Sequence, residues 1–98
     1  MLPVSLKKFI KDFKLKAKGE VLSIAFVLVS TVPGKEHEVF NKISKINYVV
    51  ELHPLFGEYD LIVKIDAKDY TELGKIVINQ IRTIDGVIDT KTLTGIKF

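Results

Sequence analysis

Several residue types that carry specific chemistry are absent or scarce in this chain of 98 residues. It has no cysteine, which excludes disulfides, thiolate metal sites and cysteine nucleophiles and fits a reducing cytoplasm, where we expect the protein to act. No apolar run approaches the roughly 20 residues of a membrane span. The N-terminus also lacks the uninterrupted apolar stretch and cleavage site of a signal peptide. We therefore expect no membrane partner.

The residues that are present describe one small domain with a basic N-terminal segment. Apolar residues make up 47% of the chain, enough for a core, but the small size leaves that core marginal and favours oligomerisation. Residues 1–20 hold six lysines against Asp12 and Glu20, a net charge of +4, whereas the remaining residues carry a net charge of −1. We therefore divide the chain into a basic segment, 1–20, and a nearly neutral domain, 21–98, whose surface gives no reason to expect nucleic acid.

The basic segment has the pattern of an amphipathic helix over residues 2–18. Ser5 is a candidate N-cap, and Leu6, Phe9, Ile10 and Phe13 follow at i, i+3, i+4 and i+7. Three roles fit this pattern: docking of the apolar stripe on the domain or a neighbouring subunit, phosphate contact through the lysines, or adsorption to an acidic membrane surface.

The rest of the chain alternates between strand and helix patterns in the order βαββαβ. Strands are predicted over 22–30, 47–52, 59–65 and 87–98, and helices over 35–45 and from an Asp69 cap to Ile84, where Asp85-Gly86 ends the second helix. This order predicts an α+β, ferredoxin-like sandwich of the dimeric α/β-barrel type, with an extra N-terminal helix.

The first strand is apolar on both faces, so the sheet needs a cover on each side. We predict that Ala25, Val27 and Val29 lie on the face away from the helices. A second copy of the sheet would cover that face and make a homodimer. The N-terminal helix is the competing cover.

Five short motifs occur in order over about residues 22–93: Ala25-Phe26-Val27, Pro33-Gly34, Gly57-Glu58-Tyr59-Asp60, Gly86-Val87 and Thr90-Lys91-Thr92. Together they resemble the effector-binding domain of the Lrp/AsnC family of transcription regulators. The resemblance implies a homodimer that assembles into higher oligomers and a cleft between dimers that binds a small amino acid. The residues that it assigns to the ligand are Leu55, Phe56, Gly57, Glu58, Tyr59, Asp60 and, on the last strand, Thr90 and Thr92.

The chemistry of this loop suits a zwitterion, which needs amide donors for its carboxylate and an acceptor, here Asp60, for its ammonium. A simpler interpretation also fits: Gly57 makes a turn, Tyr59 packs in the sheet and Asp60 stabilises the loop. Phe56 departs from the small polar or β-branched residue that is frequent in the family. A phenylalanine at this position could narrow the cleft, favour an apolar ligand or close the site.

The N-terminus departs further from the family pattern. Full-length members carry a helix-turn-helix module before the effector domain, whereas about twenty residues precede it here and one helix cannot form such a module. We therefore expect a stand-alone effector domain that binds no operator, and a full-length Lrp/AsnC regulator is a candidate partner.

Other chemistries have little support in the sequence. His53 is a candidate haem or metal ligand, but no second ligand stands at metal spacing, so we expect no metal or cofactor. A nucleophile–base–orienter set is also missing, and we expect no enzymatic activity. Two alternatives stay open: an assembly module without a ligand, its cleft filled by Phe56, and a small dimeric α/β-barrel enzyme.

Overall fold

The computed structural model describes residues 23–95. Within this range the chain forms four strands, two α-helices and one π-helical segment. In chain order they are β1 (Ser23–Thr31), α1 (Glu36–Ser44), β2 (Val49–Pro54), β3 (Leu61–Ala67), α2 (Tyr70–Ile76), the π-helical segment (Val77–Ile81) and β4 (Val87–Thr94). The helix predicted over residues 2–18, its Ser5 cap and the last residues of the predicted fourth strand lie outside the described residues.

The strands form one antiparallel sheet in the order β2-β3-β1-β4. Two central strands flanked by β2 and β4, with a helix after β1 and another after β3, make the ferredoxin-like arrangement. The predicted α+β class and βαββαβ order are thereby confirmed. The boundaries of β1, β2 and β3 differ from prediction by one or two residues, as expected when a boundary rests on propensity alone. The fourth strand begins at Val87 as predicted and ends at Thr94, earlier than the predicted residue 98.

The core lies between the sheet and the helices. Ala25, Val27 and Val29 of β1 are fully buried there, in one cluster with Val39 and Ile43 of α1 and with other residues of β2, β3, α2 and the π-helical segment. The predicted orientation of β1 was therefore wrong, because Ala25, Val27 and Val29 face the helices. A strand that is apolar on both sides does not reveal by its period which side the helices cover.

No described residue, from 23 to 95, covers the other face of the sheet. Phe26 pairs with Leu93 across β1 and β4, and Leu28 pairs with Ile62 across β1 and β3. Phe26 is 37% exposed and Leu93 49% exposed. Since cross-strand partners lie on the same side of a sheet, these four apolar side chains lie on one face, which we call the open sheet face; Lys64, opposite Phe26, and Lys91, opposite Leu28, lie on it as well.

The second helix begins as predicted and ends differently. Asp69 is its N-cap, and Asp69 Oδ1 accepts a hydrogen bond of 2.8 Å from the backbone N–H of Glu72. After Ile76 the chain continues as the π-helical segment instead of an α-helix to Ile84. Gly86 then turns the chain into β4 with φ of +100°, a conformation that glycine adopts without a Cβ penalty.

Candidate functional site

The loop between β2 and β3, residues 55–60, is a closed turn with an exposed tip. The backbone N–H of Leu55 donates to the carbonyl of Asp60 over 2.8 Å and closes the loop. Gly57 has φ of +152°, which fits the predicted turn role of this glycine. Phe56 is fully exposed, at 108%, so its side chain fills no cavity formed by residues 23–95.

Asp60 fixes this loop to the end of β1. Its backbone N–H donates to the carbonyl of Val29 over 2.8 Å. Its Oδ2 accepts a hydrogen bond of 2.7 Å from the backbone N–H of Thr31 and one of 3.2 Å from Thr31 Oγ1. The carboxylate therefore stabilises the loop, as the simpler interpretation of the sequence had it. A carboxylate has about four lone-pair positions, so these bonds do not exhaust its capacity to accept.

A cavity of about 250 Å³ lies between this loop and the first turn of α1. We call it the loop cavity. Four of its lining residues are apolar and three are polar: Phe40, Pro54, Leu55 and Leu61, with Glu36, His37 and Asp60. An apolar wall with a few polar groups is the usual composition of a small-molecule site.

The structure brings together only part of the predicted site. Leu55 and Asp60 line the loop cavity, whereas Phe56, Gly57, Glu58 and Tyr59 form the rest of the loop outside its lining. Glu36, His37 and Phe40 of the first helix were missed. They carry no motif, and only the fold shows that the start of α1 lies beside the loop after β2.

The two predicted threonines lie on β4, which pairs with the edge of β1 opposite to the edge that pairs with β3. Thr90 is paired with Val29, which is paired in turn with Leu61, so Thr90 and Leu61 are two strand spacings apart, about 10 Å. Thr92 lines a different cavity of about 420 Å³, between α2 and β4. We call it the helix–strand groove, and its lining residues are Tyr70, Leu73, Gly74, Val77, Ile78, Thr92 and Thr94. Within one chain, therefore, the threonines and the loop do not form one site.

Residues 23–95 contain neither a candidate metal-binding group nor a helix that could span a membrane. In that range no group of three or more His, Asp or Glu side chains is placed to hold a metal ion; His53 is an exposed residue of β2 opposite Ile62. None of the described helices is long and apolar enough to cross a membrane.

The comparison that decides the family is a match of residues 24–97 to the family model for the Lrp/AsnC ligand binding domain. The chain belongs to the Lrp/AsnC family. An uncharacterised helix-turn-helix-type transcriptional regulator of Pyrococcus furiosus is 38% identical to it over 92 residues, which span 88% of this chain and 61% of that protein. The chain thus spans about three-fifths of the length of this relative.

Two solved structures agree with the fold. The crystal structure of FFRP-DM1 has a TM-score of 0.73 and 34% sequence identity, over 78% of this chain and 100% of that chain. The transcriptional regulator NMB0573 of Neisseria meningitidis, solved in complex with L-Met, has a TM-score of 0.72 and 22% identity, over 85% of this chain and 55% of that chain. At 22% identity, the similarity to NMB0573 shows only that the two proteins share a fold.

Proposed function

We propose that this domain binds an amino-acid effector and, by oligomerising, modulates transcription. The observation that carries the proposal is the loop cavity, an apolar pocket with polar groups beside the Gly57–Asp60 loop of a ligand-binding family. The family model that residues 24–97 match describes a ligand binding domain, which supports a small-molecule ligand at this loop.

In this proposal the loop holds the two charges that all amino acids share. Backbone amides of residues 56–59 donate to the carboxylate, and the carboxylate of Asp60 accepts from the ammonium while Thr31 keeps it in place. The side chain of the effector then enters the loop cavity. Thr90 and Thr92 lie on the far side of β1, so they would reach the ligand only from a second copy of the chain.

The same proposal assigns the open sheet face to homodimerisation. Phe26, Leu28, Ile62 and Leu93 place apolar side chains on this face, and Phe26 and Leu93 are 37% and 49% exposed. A second copy of the sheet would bury these side chains in a two-fold interface. Higher assembly would then bring loops of different dimers together, and a full-length Lrp/AsnC regulator that presents the same surfaces is a candidate partner.

Effector binding would act through this assembly. A ligand changes an association equilibrium only when it binds one assembly state more tightly than the other. A ligand held between loops of two copies meets that condition. We propose no catalytic step, since the domain belongs to a family of transcription regulators and the loop cavity offers binding groups.

The test combines ligand binding with assembly. Isothermal titration calorimetry against the common amino acids should find at least one that binds, and sedimentation velocity should show that this ligand changes the subunit number. Binding without any change in assembly would refute the regulatory part of the proposal. A flat panel at millimolar concentration would refute the effector part.

One observation favours an assembly module without a ligand as the second candidate. Phe56 is fully exposed at the loop tip, where it could fill the cleft between two dimers. Phe56→Ser separates the two candidates. If Phe56 joins dimers, the variant should lose the higher oligomer and gain no ligand. If Phe56 only borders an effector site, the variant should keep or improve amino-acid binding.

A further inference from the structure

The helix–strand groove, about 420 Å³ in volume, is apolar and open to solvent between α2 and β4. None of its lining residues is charged. Leu73 and Val77 are almost fully buried there, whereas Tyr70 and Ile78 are 57% and 56% exposed. Large apolar side chains that stay exposed beside a cavity mark a surface that a further apolar group can cover.

The groove exists because α2 leaves one edge of the sheet open on the helix side. α2 packs against β1 and β3, the two central strands. On the edge strand β4, Thr92 is opposite Val27 and Thr94 is opposite Ala25, so both threonines lie on the side of the sheet that carries the core. Both threonines are nevertheless exposed. Residues 23–95 therefore leave this part of β4 open to a further element.

The N-terminal segment joins the described domain at one end of this groove. The carbonyl of Ile24, near the start of β1, accepts a hydrogen bond of 2.7 Å from the backbone N–H of Gly95. The hydroxyl of Tyr70 donates to the carbonyl of Gly95 over 3.0 Å. Gly95 follows Thr94, and both Tyr70 and Thr94 line the groove. Residues 1–22 therefore connect to the domain beside the groove.

The apolar stripe of the predicted N-terminal helix, from Leu6 to Phe13, matches the groove in length. A helix advances about 10 Å from Leu6 to Phe13, and about 12 Å from Tyr70 to Ile78. Residues 14–22 reach up to about 30 Å when they are extended. This connection is long enough to lay the stripe along the groove in either direction.

The open sheet face is the competing place for the stripe. It carries Lys64 and Lys91, with one carboxylate, that of Glu51, opposite Lys64. Residues 1–20 hold six lysines against two acidic residues, so packing them beside two further lysines costs electrostatic energy. The groove has no charged lining residue, and its use leaves the open sheet face free for a second copy of the sheet. The charges therefore favour the groove.

We propose that the helix predicted over residues 2–18 docks in the helix–strand groove of its own chain, with its apolar stripe on Leu73, Val77 and Ile78. The stripe covers the exposed part of Ile78 and the helix side of β4, while the lysines elsewhere on the helix keep their charges in water. In a domain this small, the added apolar burial supports a marginal core. The contact does not depend on an amino-acid effector.

Disulfide trapping in the full chain tests the contact, since the chain has no cysteine of its own. Phe9→Cys with Gly74→Cys joins the middle of the stripe to the middle of the groove, and a Cβ at Gly74 has no atom within 4 Å. Phe9→Cys with Phe26→Cys joins the stripe to the open sheet face instead. A disulfide requires Cα atoms within about 7 Å. Under mild oxidation the first pair should give an intrachain disulfide as its main product, a faster band on a non-reducing denaturing gel, and the second pair should stay mostly reduced.

A matched pair of single variants tests the same contact without a cross-link. Phe9→Ser removes a ring from the stripe, whereas Lys8→Ser removes a side chain from the opposite side of the predicted helix. In ¹⁵N spectra of the full chain, Phe9→Ser should shift the amide signals of residues 70–78 and 92–94. Lys8→Ser should leave those signals in place.

The possible results separate the groove from the other places for the stripe. A disulfide formed mainly by the Phe26→Cys pair, or groove amides that Phe9→Ser does not shift, would overturn the proposal. A covalent dimer as the main product of the Gly74→Cys pair would place the stripe in the groove of a second copy and overturn its assignment to the same chain. None of these experiments contains an amino acid, so the proposed effector function stands or fails separately.

Discussion

Asp60 connects the loop to the sheet, and its removal should have a measurable cost. Asp60→Ala deletes the acceptor for two donors of Thr31, at 2.7 Å and 3.2 Å. Thr31 is only 5% exposed, so its backbone N–H would lose its partner in a nearly dry place. A hydrogen bond to a charged group contributes about 1.5–3 kcal/mol, and a buried donor left unpaired costs about 1–3 kcal/mol.

These two figures overlap because they describe the same bond. Asp60 is partly exposed, and water can replace some of what is lost. We therefore expect Asp60→Ala to lower the free energy of unfolding by about 2 kcal/mol. In a domain of this size that change corresponds to a decrease in Tm of about 8–16 °C.

Two variants separate the contributions of the two Thr31 donors, its backbone N–H and its hydroxyl, to the free energy of unfolding. Asp60→Asn keeps a carbonyl oxygen for the backbone N–H of Thr31 and should cost about half as much. Thr31→Val removes only the hydroxyl bond and should cost less than about 1 kcal/mol. Urea denaturation followed by circular dichroism, at one protein concentration because oligomerisation adds to stability, measures all three. A free energy of unfolding for Asp60→Ala within 0.5 kcal/mol of the parent, roughly the scatter of surface substitutions, would refute the anchoring role.

Three further predictions concern the N-terminus of α2, the turn into β4 and the open sheet face. Asp69→Ala should lower stability by about 1 kcal/mol through loss of the N-cap, measured by urea denaturation; no change would contradict the capping bond. Gly86→Ala should destabilise by more than about 1 kcal/mol, because φ is +100° and the new Cβ would lie 3.0 Å from side-chain atoms of Lys35 and Val39. Gly74→Ala, its control in the open interior of α2, should be neutral or stabilise by up to about 1 kcal/mol, and equal effects of the two alanines would show the turn to be unstrained. Phe26→Asp should convert the proposed dimer to a folded monomer in sedimentation velocity, and a dimer that persists would move the interface away from the open sheet face.

The sequence was sufficient for the order of elements because each one has a strong local signal. Asp69 before a helical period predicted the cap, and Gly86 predicted the turn into β4; the structure has both. The sidedness of β1 was not predictable in this way. Ala25 and Phe26 are both apolar, and which of them faces the helices depends on how α1 and α2 pack, a tertiary choice that no period records.

The candidate site was predictable only as far as it is continuous in sequence. The loop from Leu55 to Asp60 was found through the Gly57 turn and its resemblance to the family. Glu36 and Phe40 join it through the fold, some twenty residues away in the chain. The hydrogen bonds from Thr31 to Asp60 could not be predicted either. In sequence, a carboxylate that binds a ligand cannot be distinguished from one that accepts a hydrogen bond from a neighbouring strand.

An NMR titration would show directly whether an amino acid binds at the loop cavity. The ¹⁵N-labelled chain would be titrated with the amino acid that binds most tightly in calorimetry, and amide shifts mapped along residues 23–95. We predict the largest shifts at residues 34–40 and 54–61. Shifts confined to the helix–strand groove, at Tyr70–Ile78 and Thr92–Thr94, or no shifts with any amino acid at millimolar concentration, would contradict the account.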